Sequence, residues 1–323
     1  MQKSRIGHAW CRLVLVWTVV LFSTGCGGIE HISVLRQAQN DFSTTAREEN
    51  QGTVRVLFPD DRYLEAKASS YLETYWKGQS RGAESLLNTE KAQALYNQYQ
   101  TLYLRLKALE NNAKSRLEAD GLYGTCASLR VFSHWRATFY GHALRIEGET
   151  QGEGLEAMTV IDTEAKNVLA NFSEQIQPRD RFFLLAMPGL TRYDIALLRF
   201  LKADMRGSLN KSEEGRKLAK EIVDQITAAE KDIRSMKEKE YRHLEIYKLL
   251  SRYAMLLTAY TVANRSFEMH MPEGRREFPV LVESIDSFYK DVDRSEVFGD
   301  FMKEKGIERK IMTESLPIMK AAN

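Results

Sequence analysis

Apolar residues recur along this chain at intervals of three and four. Ile29, Ile32, Leu35, Ala38, Phe42 and Ala46 form one such stripe. Leu95, Tyr99, Leu102, Leu106 and Leu109 form a second, and Leu218, Ile222, Ile226, Ala229 and Ile233 a third. This is the period of one helix face, not the alternation of a strand. Only Thr53 to Phe58 reads as a strand, and it is too isolated to build a sheet. The 323 residues hold six prolines, and the stretches between them are rich in good helix formers. The pattern predicts an all-α fold.

Local signals place the helix borders. Asp60-Asp61 after Pro59 marks a start, because acids suit the positive end of a helix. Asn88 caps a helix that runs to Asp120, and Gly121 ends it. Further helices are expected over 122–139, 141–150, 154–173, 179–186 and 190–206. Ser212 caps the next, which closes near Lys237. Others follow over 238–267, 276–292 and 296–320. Short connections make neighbouring helices antiparallel. Residues 244–262 are apolar nearly all round, so this helix is central. Lys248, Ser251 and Arg252 interrupt it and argue against a membrane span. The stretch 182–201 is similar, but Pro188-Gly189 predicts a helical hairpin there.

The first thirty residues are different. Lys3, Arg5 and Arg12 precede an apolar run from Leu13 to Phe22, and no acid occurs before Glu30. Ser23-Thr24-Gly25-Cys26 follows. A basic start, a short apolar run and small residues are the three parts of a secretory signal. The run of about ten residues is half of what a spanning helix needs. Ser23 to Cys26 resembles the lipobox of bacterial lipoproteins, with Ser23 where an aliphatic residue is usual. The resemblance implies that residues 1–25 are a signal peptide, that Cys26 carries lipid, and that residues 26–323 form the mature all-helical domain. Gly27 in place of Asp implies the periplasmic face of the outer membrane rather than retention at the inner one.

A second resemblance lies in the body. Ala38-x-x-x-Phe42-x-x-x-Ala46 looks like the second helix of a tetratricopeptide repeat. Trp135 to Ala143 looks like the turn of one. This implies an α-solenoid of antiparallel helix pairs, with an irregular helical bundle as the alternative.

Composition then narrows the chemistry. The formal charge is +2, and without Lys3, Arg5 and Arg12 the chain has 43 basic against 44 acidic residues. A near-neutral body carries no electrostatic footprint for nucleic acid. With Cys26 lipidated, Cys126 has no disulfide partner in the body and is expected as a buried small hydrophobe. No HExxH, GxSxG or Walker-type loop occurs. His134 and His142 are expected as packed or surface residues, and Met269-His270-Met271 as packing rather than a metal site. The paired acids Glu48-Glu49 and Glu213-Glu214 are read as solvated faces or helix-start charges. No cofactor, metal or catalytic residue is expected.

The aromatics carry the remaining signal. Tyr71, Tyr75 and Trp76 share one expected helix, and Tyr96, Tyr99 and Tyr103 share another. On an open concave face they would bind a partner; in the core they would be packing. The expected function is a lipid-anchored interaction or scaffold module in the cell envelope, holding another envelope protein. The alternative is a ligand-binding component of an envelope transport system of the TRAP-associated type, which would need an apolar tunnel.

Overall fold

The computed structural model describes residues 30–50, 89–145, 153–236, 242–304 and 308–319. Among them are eleven α-helices and no strand. Cys26, Asp60-Asp61, Tyr71, Tyr75, Trp76, Asn88 and the run Thr53–Phe58 lie outside the described residues. The fold is all-α.

The first stripe becomes helix α1 (Glu30–Asn50), burying Leu35, Ala38, Phe42 and Ala46. Helix α2 (Thr89–Ala119) buries the second stripe and is kinked at Ala113, where φ is −131°. Gly121 then adopts φ +66°, the left-handed conformation that only glycine takes cheaply, and the chain reverses within three residues. Helix α3 (Tyr123–Leu144) follows, then α4 (Glu153–Phe172), a 3₁₀ turn (Ser173–Gln175) and α5 (Pro178–Met205). Helix α6 (Glu213–Ser235) starts as its sequence predicts: the Ser212 hydroxyl accepts the Gly215 N–H at 3.1 Å. The chain continues through α7 (Arg242–Ser266), α8 (Pro272–Arg276), α9 (Pro279–Arg294), α10 (Glu296–Glu304) and α11 (Arg309–Ser315).

From α1 to α7 each helix packs chiefly on the next in the chain. Helices α1, α3, α5 and α7 also touch in turn, forming a middle row. α3 and α7 are therefore buried nearly all round; for α7 this is what the apolar pattern of 244–262 predicts. Helix α9 packs on α6 and α7, and α10 on α7. No described helix is long and apolar enough to cross a membrane.

Four expected borders change. Tyr123–Leu144 is one helix, not two that part near residue 140. Gly141 sits inside it, where a Cβ would stand 3.2 Å from the Tyr96 ring, so the glycine serves close approach. Trp135 to Ala143 therefore lies within α3. Pro188-Gly189 likewise fails to break α5. Packing on both sides of the proline holds the helix through the lost hydrogen bond. A Cβ at Gly189 would stand 3.0 Å from Ile233 Cδ1 and 3.1 Å from the Ala229 carbonyl, so this glycine lets α5 approach α6. The expected helix over 296–320 is two short helices. Helix α8 was not foreseen; Pro272 begins it with φ already set.

Candidate functional site

The three tyrosines of α2 occupy two kinds of environment. Tyr99 is fully enclosed, at 0% exposure. Tyr96 and Tyr103 are half-buried on the flank, and Leu104 beside them is 54% exposed. A seven-residue span turns a helix through nearly two turns, so i and i+7 share a line and i+3 falls towards the core. The described stripe is thus one core residue and two flanking ones, not three residues on an open face.

Tyr103 begins a polar ladder across three helices. Its ring stacks on His134 of α3, with centroids 4.4 Å apart, and Lys107 Nζ lies 3.4 Å from its hydroxyl. His134 Nδ1 is 3.1 Å from Glu164 Oε2 of α4. Arg130 Nη1 donates to the same oxygen at 2.9 Å. Arg130 Nε stands 2.7 Å from Glu110 Oε2, an ion pair not aligned as a hydrogen bond. Burial raises the Glu110 pKa, partly countered by Arg130. Burial also opposes the Glu164 charge, but His134 and Arg130 outweigh it and lower that pKa. One arginine serves two carboxylates here, and His134 is already shared between a ring and an acid. The ladder ties α2, α3 and α4 together at the rim.

A second cluster lies in the core, where α1, α2, α3 and α5 meet. Arg136 is 0% exposed, Glu49 3% and Asp194 0%. Arg136 Nε donates to Glu49 Oε1 at 2.9 Å, and Nη2 reaches the same oxygen. Tyr140 donates to that oxygen at 2.8 Å, and Tyr99 donates to Oε2 at 2.6 Å. Asp194 accepts Trp135 Nε1–H at 2.8 Å and Arg136 Nη1–H at 3.2 Å. The guanidinium also lies over the Trp135, Phe139 and Tyr140 rings at 4.6–5.2 Å. Burial opposes the Arg136 charge, but Glu49 and Asp194 overcome it and raise its pKa. Burial, then the Glu49 charge, pushes the Tyr99 phenol well above its usual value. Such charges tolerate enclosure only because each finds partners.

A third cluster joins α6, α7 and α9. Arg252, 1% exposed, donates from Nε to Glu230 Oε1 and from Nη1 to Asp291 Oδ2, both at 2.6 Å. Arg252 Nη2 and Glu230 Oε2 find no hydrogen bond.

Sequence reasoning missed these inner charges. Glu49, read as solvated, lies seven residues past Phe42 on the buried line of α1. Arg252, read as an interruption, sits inside the most apolar run. A charge on an apolar stripe is the signal that could have found both. Other expectations concern single residues. Cys126 is a free thiol at 0% exposure, and burial raises its pKa to about 12. Met269 is buried while His270 and Met271 are exposed, so the three do not converge. Comparison with protein-family models, with curated proteins and with solved structures found no match.

Proposed function

We propose that the chain is a lipid-anchored envelope protein whose helical body acts as a protein-interaction module. The observation that carries the interaction reading is the outer flank of α2. Tyr96 and Tyr103 are half-buried there beside exposed Leu104; Tyr103 stacks on His134, which Glu164 and Arg130 hold in place, and Tyr96 packs over Gly141 of α3. Rigid aromatic residues with one wet edge lose little entropy when a partner covers them. The inner charges of the described residues are engaged with one another, which supports a structural rather than catalytic use of them. The anchor reading rests on Ser23-Thr24-Gly25-Cys26 behind a basic and apolar leader.

A photo-crosslinking residue placed at Leu104 tests the interaction in intact cells. A discrete adduct that is lost on Tyr103→Ala supports the reading. No adduct from a membrane-associated protein rejects it. The anchor is tested on Cys26→Ala by fractionation and by the mass of the mature N-terminus. Unchanged membrane association and an unlipidated wild-type N-terminus reject that part.

A further inference from the structure

The register of α1 against α2 fixes which parts of the body share the end at which α1 starts. Near the start of α1, His31 Nε2 lies 2.6 Å from Asp120 Oδ2. Midway, Arg105 Nη1 meets Asp41 Oδ2 at 2.7 Å. Towards the far end, Gln98 donates to Glu48 at 2.8 Å and Tyr99 to Glu49 at 2.6 Å. The helices are antiparallel, so the α2–α3 turn sits beside the start of α1. The close of α4 joins the same end: Gln175 Oε1 accepts the Gly124 N–H at 3.1 Å.

Only Gly27, Gly28 and Ile29 separate Cys26 from Glu30. Four steps of chain span at most about 14 Å. A helix of 21 residues is about 30 Å long. A lipid on Cys26 therefore keeps the start of α1 at the bilayer surface, whereas the leash cannot bring its far end there unless the body lies flat.

The near end has the side chains of an interfacial surface. Leu122, Tyr123 and Phe172 are half-buried there, and the Tyr123 and Phe172 rings have centroids 4.5 Å apart. Lys114 Nζ lies 5.7 Å over the Tyr123 ring. Tyrosine beside lysine and apolar carbon suits the headgroup level. Glu30, Glu118 and Asp120 lie at the same end and offset Lys114 and Arg116. The end is thus not a basic patch that anionic lipid would draw in; the tether supplies the attraction.

We propose that the end formed by the start of α1, the α2–α3 turn and the close of α4 rests on the lipid surface that holds Cys26. This rests on the lipidation proposed above. The body would then stand on that end and present the far end of α1 and α2 away from the membrane.

The test uses the full mature lipoprotein purified from membranes and placed in phosphatidylcholine vesicles. Ser115→Cys and Asn97→Cys, both exposed on α2, carry a bimane in separate samples. Vesicles contain lipid with a headgroup nitroxide as quencher. The expected result is at least threefold stronger quenching at position 115 than at 97. Equal quenching, or stronger quenching at 97, in protein that floats with the vesicles and has lipid mass on Cys26 overturns the orientation alone. Protein that fails to float and lacks that mass overturns the lipidation and this orientation together.

Discussion

Arg136 and Arg252 are equally enclosed, at 0% and 1% exposure, yet their counterions stand in different places. Both carboxylates of Arg136 are buried with it, at 3% and 0%. Arg252 shares its burial with Glu230, but its other acid, Asp291, keeps 39% side-chain exposure. The Arg136 cluster is closed by two tyrosines and a tryptophan that supply the remaining donors. The Arg252 cluster leaves one nitrogen and one oxygen unmatched. A closed cluster permits one arrangement of the four helices that feed it. A cluster with one wet acid constrains three helices less tightly. The contrast teaches where the body is rigidly keyed: at the α1–α2–α3–α5 junction, more than at α6–α7–α9.

The largest expected effect is that of Arg136→Leu. It strands two buried carboxylates, and removing one partner of a buried pair costs about 3–5 kcal/mol. Urea unfolding of the mature Cys26→Ala chain, followed by circular dichroism, measures it. The expected loss lies at the top of that range or unfolds the chain outright. A loss smaller than that of Arg252→Leu would reverse the comparison.

Arg252→Leu ranks second, at about 3 kcal/mol, because only Glu230 is left charged in the core. Asp291 turns to water. Pairing Arg252→Met with Glu230→Leu removes both charges and is expected to recover most of the loss. If the double variant is no more stable than the single one, packing rather than stranded charge explains the cost.

The fold was legible where one physical rule dominated. Stripes at helical spacing located α1, α2 and α6, and the cap at Ser212 is the one the structure uses. It was illegible where tertiary contact overrode a local signal. Gly141 and Pro188 both looked like breaks, and both lie within continuous helices. Their local cost is about 1 and 3 kcal/mol, and the helices packed around them outweigh it. The inner charges were hidden for another reason. Periodicity scores apolar residues, so Glu49 and Arg252 read as gaps in a pattern when they occupy its buried line. Tyr99 was legible as a special residue, but its partner Glu49 is 50 residues away.

Tyr99→Phe comes third. It removes one donor from Glu49 and leaves Oε2 without that bond in an enclosed site. A hydrogen bond to a charged group is worth roughly 1.5–3 kcal/mol, and the lower end is expected because Arg136 and Tyr140 still hold the other oxygen. Tyr140→Phe should cost a similar amount by the same unfolding measurement. The double variant should cost more than their sum, since both donors serve one carboxylate. Simple additivity would mean that the cluster is not a closed unit.

Asp291→Asn is the smallest expected effect. Asp291 is more than a third exposed, so water screens its attraction to Arg252, and exposed pairs contribute about 0–1 kcal/mol. A loss near 0.5 kcal/mol is expected, shrinking further in high salt as the Debye length falls. The amide that replaces the carboxylate still offers an oxygen to Arg252 Nη1, which keeps the local geometry. The same unfolding curve, run at low and at molar salt, reads both features. A salt-independent loss as large as that of Arg252→Leu would place Asp291 functionally inside the core, and the two arginine clusters would then be energetic equals.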